Sequence, residues 1–93
     1  MQLQPANLAD IYAASERIRG YVLRTPLVRL NAYDKPFDIY LKLENLQPSG
    51  AFKMRGAFNA MLSAGEEELQ DGVWTVSSGN MAIAVSYAAR ELN

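Results

Sequence analysis

The 93-residue chain carries 9 basic and 10 acidic residues, a formal net charge of −1, and 49% hydrophobic residues. That balance gives no electrostatic footprint for nucleic acid or anionic lipid, and the apolar content fits one small globular unit. With no cysteine and no histidine, disulfides, thiolate nucleophiles, zinc clusters and imidazole catalysis are excluded, so chemistry falls to Lys, Ser, Tyr, Asn, carboxylates or a bound cofactor.

The first ten residues have neither a basic n-region nor an apolar h-region, and the expected location is cytoplasmic. Asn7 and Asp10 form a capping pair for a helix whose stripe is Leu8, Ile11, Tyr12, Ser15 and Ile18, with Gly20 marking its end. Thr25-Pro26 breaks the pattern, Leu27 to Leu30 is a short strand, and residues 31–37 carry turn residues. From Asp38 to Leu43 the chain alternates, with Ile39, Leu41 and Leu43 on one face and Asp38, Tyr40 and Lys42 on the other, as in a strand with one wetter face.

Gln47-Pro48-Ser49-Gly50 is a turn into a helix from Phe52 to Ala64, followed by a helical turn over Glu66 to Leu69. Val73 to Val76 is an uncharged, β-rich run, expected to be a strand buried on both faces of a parallel sheet, and Asn80 to Leu92 is the last helix. Gly72 to Ala89 runs 18 residues without a charge, but Ser77-Ser78-Gly79-Asn80 interrupts it with a turn that lipid could not satisfy. Strands alternating with helices predict an α/β layered fold, a parallel sheet with flanking helices. The alternation stops just after a helix, where the next strand is due, so residues 1–93 are expected to be the N-terminal segment of a catalytic domain that continues beyond them.

Two places call for more than packing. In the second helix Met54, Phe58, Met61 and Leu62 point one way and Arg55, Asn59 and Ser63 toward solvent, while Lys53 shares a third face with Gly56, Ala57, Ala60 and Ala64. A lysine at a helix end commonly snorkels into water. Here it also sits at the positive end of the helix dipole between Phe52 and Met54, surroundings that disfavour the ammonium form and suit a Schiff-base amine. The other place is Ser77-Ser78-Gly79-Asn80, between the expected buried strand and the last helix. An ordinary N-cap turn would look the same, yet this is also where an open α/β sheet presents a carboxylate or phosphate cradle.

The run Lys42 to Ala57, KLENLQPSGAFKMRGA, closely resembles the cofactor-lysine segment of fold-type II pyridoxal-phosphate enzymes of the threonine dehydratase and serine racemase family. Ser77-Ser78-Gly79-Asn80 resembles the family's next motif at the expected distance, and Arg24-Thr25-Pro26-Leu27 the one that precedes it. The resemblance implies the N-terminal portion of a tryptophan-synthase-β-like fold, with Lys53 binding pyridoxal phosphate and taking the substrate α-proton. It places Phe52 against the pyridine ring, Asn80 near the phenolic oxygen, and the amides of Ser77, Ser78, Gly79 and Asn80 around the substrate carboxylate. Ser78 matches the residue that works opposite the lysine in serine racemases.

The implied activity is a threonine or serine ammonia-lyase giving a 2-keto acid and ammonia. Serine racemase, another hydroxy-amino-acid dehydratase, threonine synthase and a non-catalytic binding module are the alternatives. The implied partners are a small amino-acid substrate, the remainder of the chain and further copies of itself, without metal, nucleic acid or membrane. Met81 stands where many members carry histidine, Ile83 and Ala84 replace glutamine and glycine, and Ala51 replaces serine. The first three are expected to line or support the carboxylate loop and so bear on substrate identity. The family's glycine-rich phosphate loop and the residue facing the pyridine nitrogen are not in these 93 residues, which alone are expected neither to retain the cofactor nor to catalyse.

Overall fold

The computed structural model describes residues 2–31 and 34–93; Ala32 and Tyr33, within the expected turn region, lie outside the described residues. Helix α1 spans Leu8–Ile18. Its start is fixed by the expected reciprocal cap, in which Asp10 N–H donates to Asn7 Oδ1 at 3.0 Å and Asn7 N–H to Asp10 Oδ2 at 2.9 Å. Strands β1 (Leu27–Arg29) and β2 (Tyr40–Lys42) follow, then a short 3-10 helix at Glu44–Leu46. Helix α2 is Lys53–Ser63, α3 is Glu66–Leu69, and α4 is Asn80–Glu91.

The core lies between α2 and α4. Met54 and Phe58 are fully buried from one side, and Ala84 and Ala88, both at 0% exposure, face them from the other. Alanines let the helix backbones approach, and Phe58 fills the space, stacked on Tyr21 at 5.0 Å and edge-on to Tyr87 at 6.2 Å between ring centroids. The helices run in the same direction: Ala57 and Met81 border one cleft, while Met61, one turn further on, borders another with Ala89 and Leu92. Their N-termini therefore lie at one end of the molecule.

Three expectations need correction. The sheet among the described residues is not parallel: β1 and β2 pair antiparallel, Val28 opposite Leu41. Two strands joined by a short connection pair as a local hairpin, whereas parallel pairing needs a crossover. Val73 to Val76 forms no strand and pairs with none among the described residues, leaving Trp74 87% and Val76 88% exposed rather than buried. In α1 only Ile18 of the expected stripe is buried; Leu8, Ile11 and Tyr12 are exposed, because among the described residues nothing covers the N-terminal part of the stripe.

A polar network anchors the start of α2. Arg55 donates through Nε to Glu44 Oε1 and through Nη2 to Glu44 Oε2 at 3.1 Å and to the Leu23 carbonyl at 3.1 Å. The Thr25 hydroxyl donates to Glu44 Oε2 at 2.6 Å, and Gln47 Nε2 to the same oxygen at 3.2 Å. Gln47 also pairs with both backbone groups of Leu23, accepting its N–H at 2.9 Å and donating to its carbonyl at 2.8 Å. Thr25 and Gln47 are buried, and among the described residues no buried side-chain N or O lacks a partner. Sequence periodicity points Arg55 at solvent; its pull toward Glu44 turns it inward. The chain reaches α2 through a turn closed by Gly50 N–H on the Gln47 carbonyl at 2.7 Å, with Gly50 at φ +80°, a left-handed conformation that favours glycine.

The Arg55 guanidinium holds the Glu44 carboxyl at about 2, against an ordinary 4.5; partial burial opposes this, and the Thr25 and Gln47 bonds add to the lowering. Glu44 raises Arg55 in turn.

Two outcomes follow in the complete protein. Phe58→Ala lowers unfolding stability by about 3–5 kcal/mol in urea titrations, and a loss below about 1 kcal/mol would place Phe58 outside the core. The lowered pKa of Glu44 contributes stability fully present above about pH 4.5 and lost as pH falls through about 2. With solvent reaching the pair, about 1–2 kcal/mol separates wild type from Glu44→Gln at pH 7. That gap narrows steadily in melts taken from pH 4.5 downward, and a gap independent of pH would contradict the ion pair.

Candidate active site

Lys53 is the first residue of α2 and Asn80 the first of α4. Because the two helices are parallel, the Phe52-Lys53 pair and the Ser77-Ser78-Gly79-Asn80 turn come to the same end of the molecule. Neither helix has a side-chain cap: Phe52 and Gly79 stand at the N-cap positions without one. The leading N–H groups of both thus have no capping side chain, at the positive end of each helix dipole, and in α2 only Arg55 N–H turns back, onto the Phe52 carbonyl. In the turn itself, Gly79 N–H donates to Ser77 Oγ at 3.2 Å, which fixes its curvature. Ser77, Ser78, Gly79 and Asn80 are all exposed.

The surroundings of Lys53 differ from those expected. The side chain is exposed, with Nζ 5.2 Å from the centre of the Phe52 ring, rather than shielded among alanines. Met54 turns into the core and Phe52 is itself 59% exposed, so the flanking apolar residues leave the amine open to water. Of the small residues on its face, Ala57 is buried against α4 while Gly56 and Ala60 are exposed. This segment supplies the amine, its aromatic neighbour and the open amides, and no low-dielectric wall around them.

The three departures at the start of α4 have separate fates. Ala84 is fully buried in the core, where a larger residue would collide with α2. Met81 is half-buried and borders the cleft of about 250 Å³ between α2, α4 and the Val73–Thr75 segment. Ile83 is exposed. Of the three, Ala84 belongs to helix packing rather than to the carboxylate loop. Sequence reasoning missed Glu44, Thr25 and Gln47 as anchors of α2; the available signal was an acidic and a basic residue, Glu44 and Arg55, inside one half-apolar run.

The chain is 47% identical over 86 residues to a serine racemase of Dictyostelium discoideum, a match covering 90% of this chain and 26% of that protein. It is 39% identical over 92 residues to an L-threo-3-hydroxyaspartate ammonia-lyase of Pseudomonas sp, covering 97% and 29%. Among solved structures, maize serine racemase superposes with a TM-score of 0.84 at 39% identity, over 94% of this chain and 28% of that one. The α/β arrangement is therefore that of the fold-type II enzymes, of which the described residues form a part, and the chain spans between a quarter and a third of the length of these relatives. The family described as "Pyridoxal-phosphate dependent enzyme" matches residues 18–93, and with well over half of its length so matched, the chain belongs to that family.

Proposed function

We propose that residues 1–93 supply the lysine-bearing segment of a catalytic domain, and that the complete protein is an ammonia-lyase acting on L-threonine or L-serine, releasing a 2-keto acid and ammonia. The observation that carries the reading is that a primary amine and an uncapped helix N-terminus lie at the same end of the α2–α4 pair. The donor set fits pyridoxal phosphate: an amine for its aldehyde, an exposed aromatic ring beside that amine, and open backbone amides for an anion.

When bound, the cofactor supplies an electron sink that acidifies the substrate α-hydrogen. Lys53 Nζ would hold the cofactor through its aldehyde and, when free, would accept the substrate α-proton. Phe52 would offer its face to the ring, and Asn80 would donate a hydrogen bond to the phenolic oxygen. The amides of Ser77 to Asn80, with Gly79 N–H exchanging its bond to Ser77 Oγ, would grip the substrate carboxylate and so set which Cα bond faces Lys53. With the α-proton gone, the β-hydroxyl would leave with a proton as water, and the released enamine, after tautomerising to the imine, would be hydrolysed by water to the 2-keto acid and ammonia.

A second reading, serine racemase, draws on the Ser78 hydroxyl in the same turn and on the Dictyostelium discoideum relative. There Ser78 Oγ would hand a proton to the opposite face of Cα. The cytoplasm is the location we propose for either; among the described residues no helix is long and apolar enough to cross a membrane.

Borohydride treatment of the complete protein with pyridoxal phosphate is expected to fix the cofactor on the peptide containing Lys53, read by mass. Lys53→Ala should lower turnover by about 10³-fold or more, a barrier increase of about 4 kcal/mol. L-Threonine, L-serine and L-threo-3-hydroxyaspartate, followed for keto acid and for the inverted enantiomer, separate lyase from racemase. Labelling elsewhere, or none, would refute the assignment of Lys53, and turnover of none of the three would leave a binding module.

A further inference from the structure

The network around Glu44 has a bearing on Lys53 that its stabilising role does not exhaust. Helix α2 begins without a side-chain cap: Arg55 N–H closes the first turn on the Phe52 carbonyl at 3.0 Å, but no side chain at Phe52 sets its angle. That turn is instead fixed by the two residues that follow Lys53. Met54 is fully buried, with its sulfur 3.2 Å from the Ser49 amide. Arg55 forks onto Glu44 and reaches the Leu23 carbonyl.

Glu44 is in turn held by the hydroxyl of buried Thr25 and the amide of buried Gln47, and Gln47 is clamped to both backbone groups of Leu23. Lys42 Nζ donates to the Thr25 carbonyl, closing the set from β2. Three stretches of chain, the approach to β1, the end of β2 with the 3-10 helix, and the start of α2, thus converge on one carboxylate. Successive helix residues are about 100° and 1.5 Å apart, so a turn or slide of α2 at Arg55 carries through to Lys53, and its long side chain enlarges the displacement at Nζ.

We infer that Glu44 and Arg55, seated by Thr25 and Gln47, are positioning residues that fix the point from which the Lys53 amine works. The inference rests on the assignment of Lys53 as the cofactor lysine. A bidentate guanidinium–carboxylate fork suits the task, since its planar geometry specifies direction as well as distance. The lowered pKa of Glu44 keeps the fork ionised throughout the neutral range.

The test uses the complete protein as wild type, Glu44→Gln and Arg55→Lys, the last keeping charge and stem while losing the fork. Three quantities are read in proteins with cooperative melts: the rate at which added pyridoxal phosphate becomes borohydride-fixed on Lys53, the absorbance maximum of the bound cofactor, and kcat and KM separately. Misplacement of the amine predicts a trapping rate and a kcat each lower by about 10- to 100-fold, a shifted absorbance band and a KM changed far less. A merely structural role would lower the melting temperature and leave the other three in place. Should Glu44→Gln fail to fold, Arg55→Lys decides. Wild-type trapping on Lys53 with variant rates within about twofold and an unshifted band would overturn the positioning role alone, whereas a wild type never fixed on Lys53 would overturn this role together with the assignment beneath it.

Discussion

The contact on which the rest of the structure depends is the packing of α2 on α4 through Phe58 and Met54 against Ala84 and Ala88. Two alanines on one helix and two large side chains on the other fit because neither surface alone could exclude water. A helix pair packed this closely and in the same direction has one consequence for chemistry. It brings two helix N-termini, each with open amides, to a single end of the molecule. Everything proposed for Lys53 and for the Ser77–Asn80 turn depends on that shared end.

The second constraint is electrostatic. The Glu44–Arg55 pair is partly buried, its side chains 16% and 34% exposed, and it is surrounded by donors and acceptors that all find partners. A buried charge left alone would be costly; here each oxygen of Glu44 meets a guanidinium nitrogen, and one of them also meets a hydroxyl and an amide. The pairing joins parts of the chain that are 32 residues apart, Leu23 and Arg55. It does so beside the residue whose placement matters most to the proposed chemistry. Packing thus sets the direction of α2, and the ion pair sets its rotation.

Much of this is legible in the sequence. The Asn7–Asp10 cap, the bounds of the four helices to within a residue or two, and the inward stripe of α2 follow from periodicity and capping chemistry, which are local. What is not legible depends on neighbours. Val73 to Val76 has the composition of a buried strand, but composition cannot supply the strands on either side, and without them Trp74 and Val76 face water. The apolar stripe of α1 fails for the same reason. Arg55 reads as a solvent-facing position on a helical wheel because the wheel does not know that Glu44, brought back by the Gln47–Gly50 turn, waits there. The alanines around Lys53 suggest shelter, but small residues create room without filling it, and the amine is open. The family resemblance, by contrast, rests on motifs whose order and spacing survive whatever the local exposure, and the family match covers residues 18–93.

The most direct measurement is a crystal structure of the complete protein with pyridoxal phosphate and an unreactive amino-acid analogue. The account predicts the analogue's carboxylate on the amides of the Ser77–Asn80 turn, with Lys53 Nζ on the side of Cα from which the proton departs. A carboxylate bound away from that turn, or a different lysine beside the cofactor, would contradict it.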